Sequence, residues 1–216
     1  MNIAILGTGQ VAQTIGTALV KLGHQVTLGS RTEHNENGVA WAEANGGQTH
    51  NFATAAKEAE LVFNCTAGMH SLSVVQQTGA ENLAGKVLID VANPLDFSQG
   101  FPPTLSVCND QSLAEQIQQA LPDTLVVKAL NTVANPVMVE PSRVPGQHSL
   151  PICGNDDRAK EVVKELLQQL GWQNDQILDL GDITNARGTE MYLALWVRLY
   201  GALGTGDFNI QIQKAD

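Results

Sequence analysis

The chain has 216 residues, roughly one and a half times a typical domain, which allows one large domain or a domain with a small appendage and excludes a pair of full-sized lobes. Hydrophobic residues make up 43% and charged ones 16%, and 20 glycines lie scattered through apolar segments, so a packed core rather than disorder is expected. With 12 basic against 22 acidic residues the formal charge is −10, a field that works against nucleic acid or an anionic membrane as partner.

From the amino terminus, Ile3 to Leu6 reads as a strand, and Val11, Ile15, Ala18, Leu19 and Leu22 then recur at helical spacing up to Gly23. A second short strand, Gln25 to Leu28, precedes a helical stretch around Val39 to Ala44 closed by Gly46-Gly47, and Leu61 to Cys65 is again strand-like. Lys86 to Val91, Leu125 to Leu130, Leu150 to Cys153 and Ile177 to Leu180 are further strands. Most are continuous apolar runs, the pattern of parallel strands covered on both faces. Residues 92–110 and 131–149 are long Pro-containing loops of the kind that carry function. Asp156 to Leu170 reads as an amphipathic helix burying Ala159, Val162, Val163, Leu166, Leu167 and Leu170, with Gly171 as its stop. The last helix, about Thr184 to Leu203, is apolar nearly all round after Met191, and a second subunit is one candidate for its cover.

No apolar run reaches the roughly 18 to 20 residues of a membrane span, and the first one leads straight into glycine chemistry rather than a cleavage site, so a cytoplasmic protein is expected. Cys65, Cys108 and Cys153 are too few and too far apart for a disulfide framework or a zinc site, and are read as buried free thiols.

Gly7-Thr8-Gly9-Gln10-Val11-Ala12 matches G-x-G-x-x-G/A, and its place between the first strand and the first helix gives the match its meaning. Gly7 permits the tight turn, Gly9 lets backbone approach a pyrophosphate, and the free N–H groups of the helix start face the anion. The fold class that follows is α/β: a doubly wound Rossmann-type parallel sheet with a small C-terminal helical extension, divided as 1–150 and 151–216. At the end of the second strand, where an acidic residue would take ribose hydroxyls, the chain reads Leu28-Gly29-Ser30-Arg31-Thr32. A guanidinium and a hydroxyl there suit a 2′-phosphate, so NADP(H) is the expected cofactor; the alternative lets Glu33 take the ribose role with Arg31 merely solvated.

No Ser-His-Asp, Lys-Tyr or metal-ligand set stands out, so no catalytic side chain and no metal are assigned. Hydride transfer between two cofactor rings fits this absence, because it needs mainly proximity, orientation and a water-poor slot. That slot should form at the carboxyl ends of the strands, from Thr66-Ala67-Gly68, Ala92-Asn93-Pro94 and Asn131-Thr132-Val133. Asn93 and Asn131 are candidates for the nicotinamide carboxamide or the acceptor ring. His70 is read as a solvent-facing histidine, the alternative being a donor at the acceptor; Lys128 is read as a strand-edge lysine, and Arg187 with Glu190, one helical turn apart, as a structural pair, the alternative being reach toward the site. Met138, Met191, Tyr192, Trp196 and Tyr200 are read as core or interface.

With these segments in hand the sequence resembles the NADPH-dependent deazaflavin (coenzyme F420) reductase family. It is also similar to the cytosolic NADPH-binding domain of the STEAP ferric reductases. Beyond the glycine turn and Gly29-Ser30-Arg31, the likeness is carried by Val126-Val127-Lys128-Ala129-Leu130-Asn131-Thr132, Ile152-Cys153-Gly154-Asn155-Asp156-Asp157 and Asn185-Ala186-Arg187-Gly188-Thr189-Glu190. It implies NADP binding by Thr8, Ser30 and Arg31, a nicotinamide near Ala67, Asn93 and the Asn131-Thr132 loop, and hydride transfer to a flavin-like ring. Three positions depart: Asn131 stands where the deazaflavin reductases carry a histidine, Ala134 where they carry a proline, and Asn35 at a basic position beyond Arg31. The acceptor is therefore open among deazaflavin, FMN, FAD and a quinone. A non-catalytic module reading the NADPH to NADP ratio and a reductase of a small carbonyl or imine are the competing functions.

Overall fold

A computed structural model describes residues 1–215. Five strands form its parallel heart: β1 (Asn2–Leu6), β2 (Gln25–Ser30), β4 (Leu61–Asn64), β5 (Val87–Asp90) and β8 (Leu125–Lys128). With β3 (Gln48–Asn51), β9 (Leu150–Gly154) and β10 (Ile177–Asp179) they make one eight-stranded sheet, in the order β10-β9-β8-β5-β4-β1-β2-β3. The order reverses at β1, which lies between β2 and β4, so a crevice opens at the carboxyl ends of these strands.

Helices cover both faces. On one lie α1 (Gln10–Lys21), α2 (Glu36–Asn45) and α8 (Asp157–Gln169), packing Ile15, Leu19, Trp41, Val163 and Leu166 on Ile3, Ile5, Phe63, Ile89 and Val127. The other carries α3 (Phe52–Lys57), α4 (Gly68–Thr78), the short α5 (Ala80–Leu83) and α6 (Leu113–Ala120) over Ala4, Leu6, Val62, Leu88 and Val126. The strand side chains alternate between the two clusters with the two-residue period of a pleated strand, and burying each large aliphatic one stabilises the fold by about 1.5–3 kcal/mol.

The purely parallel expectation fails at one place: β9 pairs antiparallel with β8, Lys128 opposite Cys153. Residues 131–149 hold only α7 (Asn135–Val139) and a 3-10 turn at Pro141–Arg143. The connection carries no helix long enough to run the length of the sheet, only the five-residue α7 of about 7.5 Å, and β9 enters from the carboxyl edge. The full-length α8 then returns the chain and β10 runs parallel to β9. The 150/151 division therefore falls within β9, a member of the main sheet.

The other long loop, 92–110, contains a small hairpin of β6 (Leu95–Asp96) and β7 (Thr104–Leu105). Asp156 caps α8, its carboxylate accepting from Ala159 N–H at 2.8 Å; Val162, expected in the core, faces water instead. The expected final helix appears as a 3-10 turn at Ile183–Asn185, then α9 (Ala186–Met191) and α10 (Leu193–Leu203), joined through Tyr192, which keeps helical angles. Residues beyond α10 fold back along the start of β9: Ser149 N–H donates to the Ile210 carbonyl, and Phe208 stacks on Trp196. Among the described residues no helix is long and apolar enough to cross a membrane.

Candidate active site

The glycine turn is built by sterics. Gly7 sits at φ +124°, and a Cβ there would lie 2.9 Å from the Cys65 carbonyl oxygen, so only glycine lets β1 turn beside β4. Gly9 has ordinary angles, and its virtual Cβ meets nothing within 4 Å. No side chain caps α1, so the first amides of this 12-residue helix are offered outward over open space. A diphosphate fits this arrangement, since it needs donors, the positive end of a helix and room for close approach.

One strand over, Ser30 is buried and its hydroxyl is engaged with its own turn, donating to the Thr32 carbonyl at 2.5 Å and accepting from Thr32 N–H. Arg31 is exposed and makes no ion pair among the described residues. Glu33 is the neighbour that could have contested the ribose, but it turns away to the end of β3. There it accepts from His50 Nδ1 at 3.1 Å and from Asn51, and the His50 contact holds its carboxyl below the usual range. Asn35, which stands at a basic position of the related reductases, caps α2 by accepting from Gly38 N–H at 3.1 Å. The loop thus presents one guanidinium outward and keeps its carboxylate occupied.

Beside the turn lies a cleft of about 410 Å³ between the start of α1 and the ends of β4, β5 and β8, roofed by α10. Of the expected residues, Val11, Thr66, Ala67, Asn93 and Asn131 line it. Thr132 does not: it is buried behind the cleft with its hydroxyl unpartnered. Gly7, Thr8, Gly9 and Gln10, with Ser30 and Arg31, occupy the adjoining turns of the same edge. Asn93 and Asn131 face each other: Asn131 Nδ2 donates to Asn93 Oδ1 at 2.9 Å, and Asn93 Nδ2 donates to the Asn131 carbonyl at 2.8 Å. Asn131 Nδ2 also donates to the Thr189 carbonyl, so its amide orientation is fixed and its Oδ1 is left buried without a donor. The remaining walls are mostly apolar, from Val133, Met138, Leu193, Trp196 and Tyr200, with Asn135 as a polar member whose amide donates to the Thr14 hydroxyl at 2.9 Å. Met138, Trp196 and Tyr200 therefore belong to the cleft rather than only to core or interface. His70 lies in the first turn of α4, exposed and outside the cleft.

Two sequence expectations are corrected under the cleft. Lys128 is no strand-edge lysine: it is completely buried, 2.8 Å from Asp90 and 2.8 Å from Glu190. Although burial opposes its charge, the two carboxylates hold its ammonium above the ordinary lysine range. Arg187 and Glu190 do not pair with each other. Arg187 binds Glu115, while Glu190 turns inward to Lys128 and to the amides of Leu113 and Ala114 at 2.7 and 3.1 Å. Asn64 and Asp90 escaped the sequence reading. Their signal was present, as each of three apolar strands ends in a polar residue, Asn64, Asp90 and Lys128, which the register places side by side. Burial pushes the Cys65 thiol, at the cleft wall, well above its usual range, and that of Cys153 up to about 12. Cys153 is fully buried; Cys65 keeps part of its residue open at the cleft wall while its thiol is enclosed, and Cys108 is only half-buried, short of the buried state expected for all three.

An open glycine turn, a cation in place of the ribose acid and a cleft at the reversal of strand order define a dinucleotide-binding protein of the doubly wound class. The family model for NADP oxidoreductases dependent on coenzyme F420 matches residues 2–94. F420-dependent NADP reductase of Methanocaldococcus jannaschii is 31% identical over 221 residues, covering 95% of this chain and 96% of that protein. The chain belongs to this family of NADP-dependent oxidoreductases. A crystal structure of a putative F420-dependent NADP reductase from Arthrobacter sp. FB24 superposes with a TM-score of 0.94 at 48% identity, over 99% of this chain and 100% of that one. The metalloreductase STEAP3 of Rattus norvegicus is 30% identical over 189 residues, 88% of this chain, which spans only 36% of that longer protein.

Proposed function

We propose that the chain binds NADP(H) along the carboxyl edge of its sheet and passes a hydride between it and a planar flavin- or deazaflavin-type acceptor in the cleft. The observation that carries this reading is the combination of an uncapped glycine turn with Arg31, which makes no ion pair among the described residues and whose acidic neighbour, Glu33, is already held by His50 and Asn51. The amides at the start of α1 take the diphosphate, and the Arg31 guanidinium takes the 2′-phosphate. Ser30 joins it by turning its hydroxyl from the Thr32 carbonyl. Thr66, Ala67, Asn93 and Asn131, which line the cleft, hold the nicotinamide carboxamide. When bound, NADPH would supply a hydride, two electrons with one hydrogen, leaving NADP+ and the reduced acceptor ring as its anion. The chain contributes no acid or base. Its apolar walls exclude water, and its loops hold the two rings at reacting distance. Coenzyme F420 is the acceptor this family membership favours. The protein acts as a cytoplasmic homodimer that buries the exposed apolar side chains of α10, Leu195 and Leu203.

Mixing the protein with NADPH and a panel of deazaflavin, FMN, FAD and quinone tests this. Loss of reduced-nicotinamide absorbance with coenzyme F420, and slower loss or none with the others, is the expected result. Tight NADPH binding with no turnover on any acceptor would favour a ratio-sensing module instead.

A further inference from the structure

We infer that Lys128 is a positioning residue of the cleft: its ammonium, with Asp90 and Glu190, sets the relative placement of the three strand-end loops that hold the reacting rings. This rests on the nicotinamide cleft proposed above.

Asn64, Asp90 and Lys128 are register partners on adjacent parallel strands, so their side chains leave the same face of the sheet in one row. Lys128 Nζ spends its protons on three segments: Asp90 Oδ2 at 2.8 Å, Glu190 Oε1 at 2.8 Å and the Ala92 carbonyl. Each contact leads to a loop of the cleft. Through Ala92 the ammonium fixes the residue that precedes Asn93. Through Asp90 it reaches Asn64, whose Nδ2 donates to Asp90 Oδ1 at 2.8 Å and whose Oδ1 accepts from the Thr66 hydroxyl at 2.7 Å. Through Glu190 it fixes α9, where the neighbouring Thr189 carbonyl accepts from Asn131 Nδ2 at 3.0 Å. The loops of β4, β5 and β8 therefore hang from one buried ion cluster.

A buried cluster of this kind is a poor device for stability alone, because well-packed apolar residues of similar volume often serve as well or better. What it supplies here is direction, since each bond has a fixed length and a named partner. The second negative charge is offset by the start of α6, whose Leu113 and Ala114 amides donate to Glu190. All three side chains thus have hydrogen-bond partners, and the ammonium sits where small shifts would move three loops together.

The test compares wild type with Lys128→Met, Glu190→Gln and Asp90→Asn, well below their unfolding temperatures. Two ligands separate the halves of the site: adenosine 2′,5′-bisphosphate, which reaches the glycine turn and Arg31 only, and NADPH, which also reaches the cleft. The variants should bind the bisphosphate within about twofold of wild type. Their ratio of NADPH to bisphosphate affinity should fall at least roughly fivefold, and hydride transfer to coenzyme F420 at least roughly tenfold, with a larger deuterium isotope effect from NADPH labelled at C4. A purely stabilising role would lower melting temperature yet leave the ratio, the rate per folded molecule and the isotope effect unchanged, and that result overturns the inference. If Lys128→Met does not fold, Glu190→Gln, which keeps shape and loses charge, decides on the same readouts. Wild-type protein that binds neither ligand overturns the proposed function itself, and this inference with it.

Discussion

Arg187 holds Glu115 by two parallel hydrogen bonds, 2.9 Å from Nε and 2.6 Å from Nη2, and so clamps α9 onto the start of α6. Glu115 is nearly buried and also closes a capping box with Ser112, whose N–H and hydroxyl both donate to it at 2.8 Å. Removing the guanidinium should lower stability, read as a fall in melting temperature, by less than a fully buried charged pair would, because Arg187 keeps 37% of its side chain in water.

The Arg187 bonds hold the Glu115 carboxyl below its ordinary value of 4.5. A carboxyl lowered in the folded state binds protons more readily when unfolded, so its contribution is complete above that ordinary value and is lost as pH falls through the folded one. Urea midpoints of wild type and Arg187→Leu should therefore differ most at pH 7 and converge toward pH 3. A gap independent of pH would show that the pair adds nothing through ionisation.

The two glycines of the turn should separate folding from binding. Gly7→Ala sets a Cβ 2.9 Å from the Cys65 carbonyl at φ +124° and should lower stability by at least about 1 kcal/mol, read as a fall in melting temperature. Gly9→Ala meets no protein atom within 4 Å, so its melting temperature should stay at the wild-type value. Its Cβ stands where a diphosphate would approach, and NADPH affinity should drop by roughly tenfold or more.

Arg31→Ala should weaken NADPH by about 1.5–3 kcal/mol and leave NADH nearly unchanged, since only the former carries the 2′-phosphate proposed as the partner of the guanidinium. Isothermal titration with both nucleotides reads this directly. Equal losses would assign Arg31 a role other than cofactor choice.

Leu195 and Leu203 are each more than half exposed on α10, an apolar surface on the helix that roofs the cleft. Sedimentation at micromolar concentration should show a dimer for wild type and a monomer for Leu195→Glu with Leu203→Glu. A wild-type monomer would remove the proposed subunit contact.

The parallel heart of the sheet, α1, α8 and the glycine turn were legible because their signals are local: apolar runs, helical spacing, Gly and Asp punctuation. β3 was not, since Gln48-Thr49-His50-Asn51 has no apolar residue and owes its strand to pairing with β2. The reversed β9 was invisible because strand direction depends on where a loop leaves the chain, which no residue of the strand records. Of the site, Arg31 and the paired Asn93 and Asn131 could be read from strand ends. The partners of Lys128 and Arg187 could not. Glu190 looked close to Arg187 by sequence spacing, and only the packing of α9 against α6 shows that the two side chains point to different neighbours.

Vectorial synthesis meets a constraint in the position of Glu190. While a ribosome is still translating the segment before it, Lys128 has its strand and Asp90 but lacks its second counter-ion, and the α6 amides that Glu190 accepts from stand open. The sheet should assemble early, and the loops around the cleft should settle only once α9 emerges. A nascent chain stalled short of that point should therefore hold the adenosine end of the nucleotide before it can align the nicotinamide.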